Sequence, residues 1–192
     1  MNAASQRDGA AEERALLERL RRGESGAFDE VLRRHRQTVY AVAWRVLGNH
    51  GDADEAAQLT FVKAWKAIGG FRGDASLRTW LVRIALNVSR SMIGRRRPED
   101  GLDEVERTSE DGGEGADALL DRVEARSEVR KAVMSLPPRQ REVVLLKVFS
   151  EMTYGEVAGI MELSEGAVKA HLHQAVSNLR RRLIPAEAQE AL

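Results

Sequence analysis

The stretch from Thr153 to Arg182 carries the side chains best suited to chemistry with another macromolecule. Lys169, His171, His173 and Gln174 stand beside the small residues Gly166, Ala167 and Ala170, and Arg180, Arg181 and Arg182 follow at the far end. Small residues let a helix come close to base edges, while Lys and Arg beside them neutralise phosphates. That combination suits the reading of duplex DNA. An ordinary helical hairpin with a solvated basic face would carry similar residues, and this stretch alone leaves both readings open.

The elements that must position these side chains can be traced. Thr153 with Glu156 three residues on forms a capping box, so a helix should begin there. Tyr154, Val157, Ala158 and Met161 keep the one-face spacing of a helix. After a break at Glu162-Leu163, Ser164 can cap a longer helix, with Val168, Leu172, Ala175, Val176, Leu179 and Leu183 along one apolar stripe. Glu162 stands where glycine often supplies a left-handed residue, and a side chain there costs roughly 1–2 kcal/mol.

Two further constellations lie nearer the N-terminus. Asp52, Asp54, Glu55 and Gln58 cluster at a predicted helix start. Carboxylates in a first turn cap free amides and complement the helix dipole, which accounts for one or two of these acids better than for all. Arg83, Asn87 and Arg90 recur at spacings of four and three beside Thr79, and Arg95, Arg96 and Arg97 extend the positive charge. A solvated helix face with a basic end explains them plainly. Yet Phe71 and Trp80 are close in sequence, and aromatics beside a basic track suit unpaired, single-stranded bases. Trp80 falls at core spacing and is expected to pack inward. Phe71 sits in a polar loop.

Catalysis finds no such support. No Gly-rich phosphate loop with a following Lys, no His-Glu-x-x-His and no Ser nucleophile elbow occurs. His50 is isolated, and His171 and His173, two apart on a helix, point to different sides. The expectation is no catalytic residue, no metal, no cofactor and no small-molecule substrate. The chain has no cysteine, which excludes disulfides and thiolate metal sites and agrees with a reducing cytosol. Its 30 basic and 30 acidic residues balance, so charge distribution is the informative quantity. No apolar run reaches membrane-spanning length, and residues 1–24 are too polar for a signal peptide. An all-α, soluble, cytoplasmic protein is expected.

The 192 residues divide into two small helical domains. Residues 1–10 read as a disordered tail and 11–97 as a first domain of four helices. In it Leu16, Leu17 and Leu20, then Phe28, Val31, Leu32, Val39, Val42, Ala43 and Val46, are expected to face inward. The third helix, from about Asp52, would bury Ala57, Phe61, Ala64, Trp65 and Ile68. The fourth, capped by Ser76, would bury Leu77, Trp80, Leu81, Ile84 and Val88. Residues 98–118 are acidic and glycine-interrupted, and read as a flexible linker. Residues 119–184 form the second domain, with Pro138 in the first turn of a helix over 139–149, and 185–192 read as a tail.

Taken in order, these motifs resemble those of the extracytoplasmic-function sigma factors of bacterial RNA polymerase. The resemblance rests on the run from Asp52 through Gln58 and Phe61 to Trp65, on Phe71-Arg-Gly, and on Thr79-Trp80-Leu81 with Ile84-Ala85 and Asn87. In the second half it rests on Leu136 to Glu142, on Tyr154 to Ala158, and on Ser164 to Lys169. It implies a four-helix sigma region 2 domain and a helix-turn-helix sigma region 4 domain. The first would bind core polymerase around Asp52, Asp54, Glu55 and Gln58. It would capture a flipped base of the melted −10 element with Phe71, Arg72, Asp74, Ser76, Arg83, Asn87 and Arg90. The second would read the −35 duplex with Ser164, Glu165, Ala167, Lys169, His171, His173, Gln174 and Arg181. Core RNA polymerase, promoter DNA and an anti-sigma factor are the implied partners, and the acidic linker would thread into polymerase channels. Ser91 departs from a common Asp, Glu162 from a turn glycine, and His171 and Gln174 from frequent Arg. Since Gln suits adenine and Arg guanine, a shifted −35 preference is expected. The competing reading is a lone helix-turn-helix regulator that binds duplex DNA as a dimer.

Overall fold

A computed structural model describes residues 3–95 and 127–184, with side chains described from residue 11 onward. The expectations for Arg96, Arg97, the acidic stretch 98–118, residues 119–126 and the tail 185–192 lie outside the described residues. The chain forms two compact units, and no strand occurs among the described residues.

In the first unit α1 spans Ala3–Arg21, α2 Ala27–Leu47, α3 His50–Ala67 and α4 Leu77–Arg95. Helix α1 starts eight residues before the helix expected at Ala11, over positions read as a disordered tail. Ala3, Ala4, Gln6, Arg7 and Ala10 are good helix formers, and a single Gly9 does not stop them. Gly26 and Gly48 bracket α2, both left-handed at φ 80° and 90°, and the Gly48 amide donates to Trp44 O at 2.8 Å. Helices α2, α3 and α4 pack mutually, and α1 leans on α2. Val31, Val39, Val42, Leu77, Leu81, Val82 and Leu86 are fully buried among them.

The face that α3 turns to this core is Ala53, Ala56, Thr60 and Ala64, all without accessible surface. Such small side chains let α3 sit close to its neighbours. Phe61 is buried beside them, whereas Trp65, further along the stripe, is 61% exposed. The inward placement expected for Trp65 and Leu32 is therefore corrected. Trp80 is half-buried rather than a core residue.

The second unit begins, among the described residues, with α5 over 127–134. Then come α6 over Pro138–Val144, a π-helical turn at Leu145–Phe149, α7 over Tyr154–Met161 and α8 over Glu165–Leu183. Pro138 stands in the first turn of α6, as its missing N–H and fixed φ favour. The helix expected over 139–149 changes character at Leu145. There Ser150 donates both its amide and its Oγ to Leu145 O, each at 3.0 Å, which widens and closes the last turn. Val143, Leu146, Met152, Val157 and Val168 fill the core beneath it.

Candidate functional site

Three surfaces gather the side chains singled out above. Asn49 holds the start of α3: the Asp52 amide donates to Asn49 Oδ1 at 2.8 Å, and Asn49 Nδ2 donates to Asp52 Oδ2 at 2.9 Å. Asp52 thus serves the cap. Asp54 and Gln58, one turn apart, line an open groove between α2 and α3 together with Phe28, Tyr40, Phe61, Val62 and Trp65. The Trp65 ring meets Phe28 edge to face, with centroids 5.0 Å apart at 76°. Glu55 is exposed and stands outside this lining. Sequence reasoning found the polar rim of the groove and missed its apolar floor. The signal was present, because Phe61 and Trp65 follow Gln58 by three and seven residues, on the same helix face.

The second surface is the loop before α4 and one side of α4 itself. Phe71 and Trp80 are both half-buried and lie against each other, centroids 4.9 Å apart and tilted by 39°. Between them Gly73 reverses the chain at φ 85°. Arg72 Nε pairs with Asp74 Oδ2 at 3.4 Å, but side chains 85% and 80% exposed make this a weak tie. Ser76 caps α4: its Oγ accepts the Thr79 amide at 3.1 Å and shares a 2.9 Å hydrogen bond with Thr79 Oγ1. Helix α1 steadies the loop, since Arg21 donates to the Arg72 carbonyl at 3.5 Å and the Leu77 amide donates to the Glu13 carboxylate. Along α4, Arg83, Asn87 and Arg90 share the side that carries Trp80, and Arg90 Nη1 donates to Asn87 Oδ1 at 3.3 Å.

Behind this surface His35 is half-buried on α2. Burial lowers its pKa below the ordinary 6.5, opposed by Glu13 and aided by Arg34 and Arg78. On the same helix Glu30 accepts from Arg19 at 2.7 Å, which holds its carboxyl below the usual carboxylate range.

The third surface is α8. The capping box at Thr153 is closed in both directions, with Glu156 N donating to Thr153 Oγ1 at 3.2 Å and Thr153 N to Glu156 Oε2 at 2.8 Å. Glu162 ends α7 in the left-handed region at φ 57°, ψ 46°, so the turn keeps glycine-like geometry without glycine. Ser164 Oγ accepts the Ala167 amide at 3.1 Å and so belongs to the cap. A methyl at Gly155 would lie 3.2 Å from Glu165 Oε1, the tip of an exposed side chain that a small shift would move clear.

Lys169, His173, Gln174 and Arg181 are exposed on α8, while Ala167 and His171 are half-buried. The Lys169 ammonium lies 5.3 Å from the Tyr154 ring centre, and Lys147 lies 4.9 Å from the same ring. Lys147 was not foreseen, because it belongs to the π-helical turn and its neighbours there are apolar. Gln140 of α6 reaches α8 as well: Asn178 Nδ2 donates to Gln140 Oε1 at 2.7 Å, and Gln140 Nε2 donates to Gln174 Oε1 at 3.3 Å. Among the described residues no group of acids and histidines could hold a metal ion, and no helix is long and apolar enough to cross a membrane.

Comparison with known proteins accounts for both units. Residues 31–99 match the model of sigma-70 region 2, and residues 126–179 match that of sigma-70 region 4. The chain is 30% identical over 188 residues to the RNA polymerase sigma-H factor of Pseudomonas aeruginosa, covering 91% of this chain and 95% of that protein. It is also 30% identical over 182 residues to the ECF RNA polymerase sigma-E factor of Escherichia coli K12, covering 90% and 95%. Among solved structures it is similar to CnrH in complex with the cytosolic domain of CnrY, with 29% identity and a TM-score of 0.65 over 88% of this chain and 95% of that one. The fold is shared with the sigma factor RpoE of Bartonella quintana, solved with the anti-sigma factor NepR, at 24% identity and a TM-score of 0.66 over 82% and 97%. The chain therefore belongs to the extracytoplasmic-function sigma factors, the transcription initiation factors that direct bacterial RNA polymerase to promoters.

Proposed function

We propose that the first unit docks on core RNA polymerase through the α2–α3 groove and holds the −10 strand with the Phe71–Ser76 loop and the α4 stripe. The second unit reads the −35 duplex with α8. The exposure of Trp65 carries the docking assignment. A large aromatic left 61% open beside Phe28, Val62, Asp54 and Gln58 is the kind of apolar centre with a polar rim that protein partners cover. For the −10 strand, Phe71 on Trp80 offers a stacking surface beside Arg83, Asn87 and Arg90. Asp52 acts indirectly by holding the Asn49 cap of α3, as Ser76 and Ser164 do by capping α4 and α8.

On this reading the chain works in the cytoplasm as a non-catalytic subunit. Residues 11–97 act on polymerase and the −10 element, 119–184 act on the −35 element, and the acidic stretch 98–118 joins them and enters polymerase channels. Control by an anti-sigma factor belongs to this reading, since RpoE of Bartonella quintana, which shares the fold, was solved bound to the anti-sigma factor NepR.

The deciding experiment is binding to core polymerase by wild type, by Trp65→Ala and by the triple change Asp54→Ala/Glu55→Ala/Gln58→Ala. Tight wild-type binding, weakened roughly tenfold to a hundredfold in the variants, is expected. Absence of binding by folded wild type would favour a lone duplex-binding regulator.

A further inference from the structure

Glu13, Leu17 and Arg21 stand four apart on one side of α1, and all three meet the segment that joins α3 to α4. Glu13 is half-buried, and its carboxylate accepts the Leu77 amide. Leu17 Cδ1 lies 3.9 Å from where a Cβ on Gly73 would stand. Arg21 Nη2 donates to the Arg72 carbonyl at 3.5 Å. Helix α1 also packs on the short 3-10 turn Ile68–Gly70 that leads into the loop. Elsewhere along α1 Leu16 is buried, and ion pairs tie the helix to α2: Arg19 Nη1 with Glu30 at 2.7 Å and Arg34 Nη1 with Glu12 at 3.3 Å.

The first turn of a helix leaves amides without partners inside the helix. In α4 Ser76 Oγ takes the Thr79 amide, but no acid stands in that turn to serve another. Glu13, 64 residues away, supplies it. Its carboxylate also complements the positive end of the helix dipole. Within the loop the Arg72–Asp74 pair is solvent-exposed and weak. The loop is thus held from α1 near its start at Arg72 and just past its end at Leu77, with Leu17 against its reversal at Gly73.

We infer that α1 is a positioning element for capture of the unpaired −10 strand: Glu13, Leu17 and Arg21 act through the Phe71–Ser76 loop, not on DNA, by holding it in its binding conformation. This rests on the proposal that the loop captures that strand. A site that is only partly populated in its competent form binds more weakly in proportion to that fraction. Loss of Glu13 therefore weakens capture although every group proposed to meet the strand is still present.

The test uses full-length protein assembled with core polymerase and a fluorescent single-stranded DNA that the wild type selects from a randomised pool. Glu13→Ala should bind that strand about fivefold more weakly. Glu13→Gln keeps an oxygen for the Leu77 amide and should stay within about twofold of wild type. Leu17→Ala/Arg21→Ala leaves Glu13 in place and should lose about threefold. Affinity for core polymerase and for a selected upstream duplex should be unchanged in all three. In a Phe71→Ala background the Glu13→Ala loss should disappear, because both changes act through one loop. A general weakening of the fold would persist there.

Wild-type capture by both Glu13→Ala and Leu17→Ala/Arg21→Ala overturns the inference. An equal loss in core binding overturns it too, as does a Glu13→Ala loss that survives in Phe71→Ala. So does a loss in Glu13→Gln as large as in Glu13→Ala, since the carboxylate would then act by charge and not as a cap. If Phe71→Ala by itself leaves capture at the wild-type level, the −10 reading of the loop fails and takes the inference with it. If Phe71→Ala weakens capture and the α1 variants do not, the inference alone fails.

Discussion

Glu162 shows how one residue can hold strain for the sake of a turn. Its φ of 57° and ψ of 46° cost a side-chain-bearing residue about 1–2 kcal/mol relative to a right-handed conformation. Glu162→Gly should therefore raise the unfolding free energy by about 1 kcal/mol in urea titrations followed by far-UV dichroism. A loss of stability instead would mean that the glutamate side chain offsets the strain. His35 gives a second expectation at this scale. Its folded pKa lies below the ordinary 6.5 because burial penalises the imidazolium. As pH falls through that ordinary value the unfolded chain takes up the proton first, so stability present above it is lost toward the folded pKa. Comparing urea midpoints at pH 7.5 and roughly pH 5.8 should show a drop for wild type and a smaller one for His35→Gln. The caps at Thr153, Ser164 and Ser76 were legible because each acts within three or four residues. The link from Gln140 to Gln174 was not, since only the fold brings together residues 34 apart.

At the scale of elements, helix types and most boundaries followed from periodicity, whereas the exposure of Trp65 on α3 did not. Ala53, Ala56, Thr60, Phe61 and Ala64 take the core, and Trp65, on the same wide stripe, is left exposed. Close packing of three helices leaves the Trp65 indole outside, and no local pattern records it. The π-helical turn at Leu145–Phe149 was equally hidden, because its apolar sequence fits an ordinary helix. Helix α8 depends on a local device that can be removed cleanly. Ser164→Ala should cost about 1 kcal/mol and fray the first turn. Faster hydrogen exchange at the Ala167 amide, which Ser164 Oγ accepts in the wild type, would report it. Unaltered exchange there would mean that the packing of α8 against its neighbours holds the turn without the cap.

At the scale of the whole molecule, a chain with balanced charge sorts its contacts by place: an apolar groove on one unit, basic and amide-rich side chains on both. The two units also differ as spectroscopic objects. All three tryptophans, Trp44, Trp65 and Trp80, belong to the first unit. Indole emission therefore reports that unit alone, while far-UV dichroism counts helix from both. Urea curves recorded by the two probes should separate if the units melt independently, and superimpose only if they unfold as one. Trp65 adds an intrinsic dye at the groove: covering its open ring should shift the emission to the blue. The chain would then signal its own docking without a label, and Trp65→Phe should silence that signal.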